Sequence, residues 1–258
     1  MGEPICSNDL TWKEYENAVR ETDVGIVPVG VSEQHGLHAP LGADTHIAEE
    51  IARRLAERAK ALLFPTLHYG CILVVYDGRA WPGAISISAE TLSGICTEIG
   101  SELARQGMRR IVFVNGHICN SPPLQIAAYN TWSRTGAAVG LLEWWIVVRP
   151  EAERLGIRSA PHANEIETSM MLASRDAAPL IDLSKAVPNP GPDYSSEEMI
   201  LLRNRTAFTR ALDHRDVHEA GSYGDPSNAT RELGERLIDM AVEHGLTMIE
   251  ALKHHVRA

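Results

Sequence analysis

The stretch IVPVGVSEQHGLHAPLGADTH, residues 26–46, decides the reading of the fold. An apolar run from Val24 to Val29 stops at Gly30, and Glu33, His35, His38, Asp44 and His46 then crowd into the next residues, spaced by Gly36, Pro40 and Gly42. This pattern predicts a strand entering a loop and a helix leaving it. If the strand runs on through Glu33 and His35, both side chains share one face. Asp44 comes after the loop and just before a helical pattern. Carboxylates and imidazoles are the ligand types that hold catalytic zinc, manganese or iron. His38 or His46 alone reads as a polar surface-loop residue; Glu33, His35 and Asp44 together point to metal.

Working outward, residues 8–22 read as a short helix capped by Asn8 or Asp9, with Leu10, Tyr15 and Val19 on one face. Pro28 is unusual for a central strand, so partial pairing is expected there. Ile47, Ile51, Leu55, Ala59 and Leu62 recur at helical spacing after the ligand loop. Leu62 to Leu67 is a second apolar run. Tyr69 to Gly83 is an irregular loop carrying Tyr76, Arg79 and Trp81, expected at the same end as the ligands. Ala84 to Ser88 alternates as a strand would, and Ser88 then caps a helix with core face Leu92, Ile95, Ile99 and Leu103. Cys96 falls on that face as a packed thiol.

Ile111 to Val114 is a compact strand with Asn115-Gly116-His117 at its carboxyl end, where open α/β sheets place ligands. Ser121 and Pro122 then open a helix as N-cap and N1. Val139 to Val148 reads as a strand running into a loop. His162 and Glu165 stand at the start of a helix over 166–173. Residues 186–227 are irregular, with at most one short helix (Glu197 to Arg203), and such a stretch usually covers a site or an interface. A last helix starts near Asn228, with a break expected at Gly245. The β-α alternation from 24 to 148 favours a layered α/β/α fold around a mostly parallel sheet. The length suits one domain over residues 1–258.

A formal charge of −10 over 258 residues argues against nucleic acid and against an anionic membrane surface, and says little about a small-molecule substrate. The amino terminus does not read as a secretory signal, and no apolar run suggests a membrane span. Cys6, Cys71, Cys96 and Cys119 are dispersed, which fits free thiols in a reducing cytoplasm.

The candidates to gather are Glu33, His35, Asp44, His117, His162 and Glu165. Glu33, Asp44 and Glu165 bring three negative charges. Two divalent cations and one hydroxide balance them when the imidazoles are neutral. Without metal, three buried carboxylates repel and at least one is protonated. The inventory suits two metals better than one, with a single metal on three ligands as the next choice. Two metals can activate water and polarise a carbonyl while a nearby His gives a proton to a leaving nitrogen. That describes amide hydrolysis.

Five ordered stretches resemble the creatininase family of metal-dependent amidohydrolases: VPVGVSEQHGLHAPLGADTHIAE, WPGAISISAETL, VNGHICN, HANEIETSMML and GSYGDPSNAT. The resemblance implies a creatininase-like layered fold, two zinc, manganese or iron ions, and a homo-oligomer, frequently a hexamer. It implies that Glu33 and His117 hold one metal, His35 the other, Asp44 bridges them and His162 assists proton transfer. Glu165 matches a helix Glu that serves as a ligand in some members, and is also assigned to the catalytic step. Glu167 is expected to tie down the helix or a neighbouring His. Cys119 stands where creatininase itself carries a ligand Glu, so a thiolate ligand is the alternative there.

The implied reaction is attack by metal-activated hydroxide on a carbonyl carbon, cleaving a non-peptide C–N bond in a small cyclic amide or formamide. Alternatives within the family are ring opening of a cyclic ketone sugar or inositol derivative, deformylation of a formamidopyrimidine, and short-peptide hydrolysis. A non-catalytic metal-binding or assembly protein is the reading from outside the enzyme class. For substrate, Arg79 can meet a carboxylate or phosphate, with Tyr76 beside it. Trp81, Trp144 and Trp145 can wall a flat ring, although in a strand only one of the adjacent Trp144 and Trp145 can face it.

Overall fold

Five parallel strands form the sheet: β1 (Ile5–Cys6), β2 (Val24–Val29), β3 (Leu62–Leu63), β4 (Arg110–Asn115) and β5 (Ala138–Glu143), in the order β1-β3-β2-β4-β5. The computed structural model describes residues 4–72, 81–157, 162–189, 221–222 and 224–255. Its α-helices among these residues are α1 (Trp12–Glu21), α2 (Ala43–Ala59), α3 (Ala89–Arg105), α4 (Ser121–Thr135), α5 (Trp144–Arg154), α6 (Glu165–Ala173) and α7 (Arg231–Leu252). The fold is thus α/β with a parallel sheet. No helix among the described residues is long and apolar enough to cross a membrane.

Strand alternation sorts the core into two layers. Val24 and Ile26 of β2, Val112 and Val114 of β4, and Leu142 of β5 pack on the side of α2, α5, α6 and α7. Val27, Val29, Ile111 and Phe113 point the other way, onto α3, α4 and the flank of α1. Both faces of the sheet are covered, as a parallel sheet requires.

β2 is central despite Pro28. On one side it pairs with β4 along its whole length, Val24 with Arg110 through Val29 with Asn115. On the other it pairs with β3 only at Gly25 and Ile26. Pro28 O then accepts from Leu67 N–H at 3.0 Å, so the missing Pro28 N–H falls where the neighbouring chain has already left the ladder.

Several boundaries differ from the expectations. Thr11 caps α1, in a capping box with Glu14, while Asn8 and Asp9 lie in a preceding 3₁₀ turn. Residues 84–88 make only isolated bridges, Ile85 to Ser32 and Ser86 to Gly70. Ile95 is exposed, while Leu92, Cys96 and Leu103 carry the buried face of α3. Ser121 is the first residue of α4, behind a 3₁₀ turn Ile118–Asn120. α7 runs through Gly245 without a break, and a Cβ there would meet Leu55 Cδ2 at 2.8 Å. The glycine lets α7 lie close to α2.

The largest difference is at Trp144 and Trp145, which open α5 instead of extending β5. Trp145, Val148 and Ala152 are buried at helical spacing, and Arg154 pairs with Glu151. A short apolar run is compatible with either element by periodicity. The expected short helix at 197–203 lies outside the described residues.

Candidate metal centre

The loop that carries Glu33 and His35 begins after β2 and folds back on itself. Glu33 N–H donates to Leu41 O at 2.9 Å, and His35 bridges to Ala39. Glu33 and His35 therefore sit in a loop past the strand end. Asp44 lies in the first turn of α2, where the helix dipole favours a carboxylate. His117 follows β4, and its N–H donates to Asn115 Oδ1 at 3.1 Å. Gly116 lets this turn approach α2: a Cβ there would land 2.2 Å from Asp44 O. Asn120 stitches the floor, accepting from Cys71 N–H at 2.8 Å and donating to Gly30 O at 3.1 Å.

Among the described residues, three groups of side chains have ligand atoms close enough to share an ion: Glu33–Asp44–His117, His35–Asp44–Glu167 and Glu33–His35–His162. Asp44 belongs to the first two and turns a different oxygen to each. Its Oδ2 lies 3.0 Å from His117 Nδ1, and its Oδ1 lies 3.4 Å from His35 Nε2. Glu33 Oε2 is 3.3 Å from His117 Nδ1 and 3.8 Å from His162 Nδ1. Glu167 Oε2 is 3.7 Å from His35 Nε2. His35 Nδ1 lies 3.1 Å from Glu33 O. With its hydrogen on Nδ1, the ring turns the Nε2 lone pair to the pocket, as a ligand needs.

Burial makes the charges costly. Glu33, His35, Asp44, His117 and Glu167 are all buried. Glu33 Oε2 and His35 Nε2 are buried without a hydrogen-bond partner among the described residues, and Asp44 Oδ2 faces His117 Nδ1. Burial works against an ionised Asp44, but His35 and His117 overcome it and hold the carboxyl well below its usual range. Burial pushes Glu33 up, with Asp44 adding to the shift and His117 opposing it. Burial also raises Glu167 to about 7, against the pull of His35. On His35 burial opposes the charge, yet Asp44, Glu167 and Glu33 drive it up to about 10. His117 is likewise raised well above its usual value by Glu33 and Asp44, against its burial. In the metal-free protein, protons hold together carboxylates that would otherwise repel. Oxygen and imidazole donors converging on buried, unpartnered atoms fit divalent ions in place of those protons.

The structure brings Glu33, His35, Asp44, His117 and His162 near one another. Glu165 is not among them: it is only partly buried at the first position of α6, and its carboxyl is raised by burial and by Asp225. Glu167, two residues on, points to His35 and Asp44. Asn164 explains the geometry. Its side chain caps α6 by accepting from Ile166 N–H and Glu167 N–H, which sets the helix so that the third residue faces the pocket.

Cys119 is partly exposed behind His117 and belongs to none of the three groups. Trp144 is buried beneath the metal loop and donates from Nε1 to Gly116 O at 3.3 Å. Trp81 is partly exposed and starts the turn that Ala84 N–H closes on its carbonyl. Tyr76 and Arg79 lie outside the described residues. Sequence reasoning missed Gln34, whose Nε2 lies 2.6 Å from His162 Nε2. Its only signal was its place between two ligands.

The family model described as "Creatininase: Creatinine amidohydrolase" matches residues 8–249. The chain belongs to the creatininase family. It is 30% identical to a creatinine amidohydrolase of Pseudomonas putida, over 94% of this chain and 95% of that one. It is 32% identical to a mycofactocin precursor peptide peptidase of Mycolicibacterium smegmatis, over 82% of this chain and 78% of that one. A solved structure described as "Creatininase Mn" superposes with a TM-score of 0.79 at 29% identity, covering 99% of this chain and 100% of that one. The fold expectation is borne out, and the protein is a creatininase-family hydrolase.

Proposed function

We propose that the protein is a dinuclear metal-dependent hydrolase that cleaves a non-peptide C–N bond in a small cyclic amide or formamide. The observation that carries this reading is Asp44, whose two oxygens face two different ligand groups. Glu33 and His117 complete one position, and His35 and Glu167 the other. Bound zinc, manganese or iron would lower the pKa of water and polarise a carbonyl oxygen. The chain's own residues supply orientation and proton handling. Asp44 fixes the separation of the two positions. The Glu33 carbonyl orients His35. His162 stands beside Glu33, its ring 4.7 Å from that of His35, so Nδ1 faces the pocket. A hydrogen at that atom would serve the carbonyl oxygen or leaving nitrogen of a bound substrate.

A second reading, hydrolysis of a short peptide, is supported by the 32% identity to the mycofactocin precursor peptide peptidase. Both readings use the same centre and differ in the substrate. The test is turnover by protein loaded with zinc or manganese, offered creatinine and other cyclic amides, formamides, and short peptides. The proposal expects cyclic amides or formamides to be cleaved, with activity lost in Glu33→Gln and His117→Ala. Cleavage confined to peptides favours the second reading. Full activity in either variant overturns both.

A further inference from the structure

Gln34 lies between two candidate ligands, Glu33 and His35, yet its own side chain turns to His162. It is buried, and both ends of its amide are engaged. Gly36 N–H donates to Gln34 Oε1 at 3.2 Å, and Gln34 Nε2 lies 2.6 Å from His162 Nε2. The backbone contact fixes which end is which. Were the amide reversed, its NH₂ would face the Gly36 N–H, donor against donor, in a place without room to turn. Gly221 closes over the same amide: at φ +67 its missing side chain would fall 2.1 Å from Gln34 Oε1.

With Oε1 held by Gly36, the amide NH₂ must point at His162. An NH₂ group donates and cannot accept, so His162 Nε2 must accept. A neutral imidazole carries one hydrogen, which then sits on Nδ1. That nitrogen is the one facing Glu33 Oε2, 3.8 Å away, on the pocket side. We infer that Gln34 is a positioning residue that sets the tautomer of His162, so that the neutral ring presents a hydrogen and not a lone pair to the reaction centre.

The inference deepens the hydrolase reading, which supplies the role of His162, although the hydrogen-bond argument stands on geometry alone. An Nδ1–H can polarise a carbonyl oxygen or meet a leaving nitrogen. It cannot take a proton from water at that atom while the ring is neutral. The neighbouring Gln of the ligand loop thus decides which side of proton transfer His162 serves.

The test uses the full chain loaded with zinc, labelled with ¹⁵N-histidine and followed by long-range ¹H–¹⁵N spectra. The His162 signals are assigned by their loss in His162→Asn. The expected pattern is a protonated Nδ1 and an unprotonated Nε2. In Gln34→Glu a carboxylate oxygen replaces the amide NH₂, so the hydrogen should move to Nε2. In Gln34→Met, which can neither donate nor accept strongly, both tautomers should appear. Wild-type protein with the hydrogen on Nε2, or a pattern unmoved by either substitution, overturns the inference. Metal content of the same samples separates the two readings. Two ions with the wrong tautomer sink only the role of Gln34. No ions with the expected tautomer sink only the hydrolase.

Discussion

Glu167 and Ala163 hold each other in place. Glu167 Oε2 accepts from Ala163 N–H at 2.6 Å, and the same oxygen lies 3.7 Å from His35 Nε2. Ala163 has φ 52, in the left-handed region that a residue with a Cβ rarely adopts. The turn after His162 is therefore bent against local preference and held by the carboxylate aimed at the pocket. Relief of that strain should show in stability. Ala163→Gly is expected to match or exceed wild type by up to about 1 kcal/mol in urea unfolding, because glycine accepts this φ freely. A loss of stability in that variant would mean that the turn carries no strain.

Close approach of the His117 turn to α2 is set by Gly116. In Gly116→Ala the added methyl would meet Asp44 O, so either the loop or the start of α2 must move. The expected cost is about 1–3 kcal/mol, as for overpacked cores. Affinity for metal at the proposed His117 position should fall at the same time. Urea unfolding and metal titration of the variant measure the two effects separately.

The strands β2 and β4, the α2 pattern and the family could be read in advance because each rests on local signals. The continuous apolar run of β4, the spacing of Ile47, Ile51 and Leu55, and the ordered motifs all lie along the chain. What escaped depends on contacts between distant segments. Glu165 and Glu167 have the same chemistry, and only the Asn164 cap and the bend at Ala163 decide which one turns inward. Trp144 and Trp145 continue an apolar run equally suited to strand or helix. Gly245 looks like a break until Leu55 is seen against it.

Away from the metal centre, Glu50 gives a pH dependence. It is buried, bonded to Arg53 and Arg54, and Arg54 reaches on to Glu235 of α7's first turns. Burial works against its charge, but the two arginines prevail and lower its pKa below 4.5. Its folded pKa is depressed, so its contribution is fully present above about pH 4.5 and is lost as pH falls through the folded value. In Glu50→Gln the fall of Tm between pH 5 and 3 should be shallower than in wild type. Parallel curves would contradict this account.

Metal removal should destabilise the protein by mass action. An ion bound only by the folded chain adds about 4 kcal/mol when present at a thousand times its dissociation constant. Dialysis against chelator is expected to lower Tm, and zinc, manganese or iron should restore it. The effect should be much reduced in Asp44→Asn, which lacks the shared carboxylate. An unchanged Tm in wild type would show that the buried carboxylates and imidazoles need no ion.

Metal content per chain tests the central claim most directly: Asp44 divides the pocket into two ion positions, and Glu167 completes the second. Elemental analysis of protein prepared without chelator should find about two ions in wild type. Glu165→Gln should keep both, and Glu167→Gln should keep about one. Loss of an ion from Glu165→Gln with both retained by Glu167→Gln would contradict the assignment. Wild-type protein without metal, even after addition of zinc, manganese or iron, would contradict the centre itself.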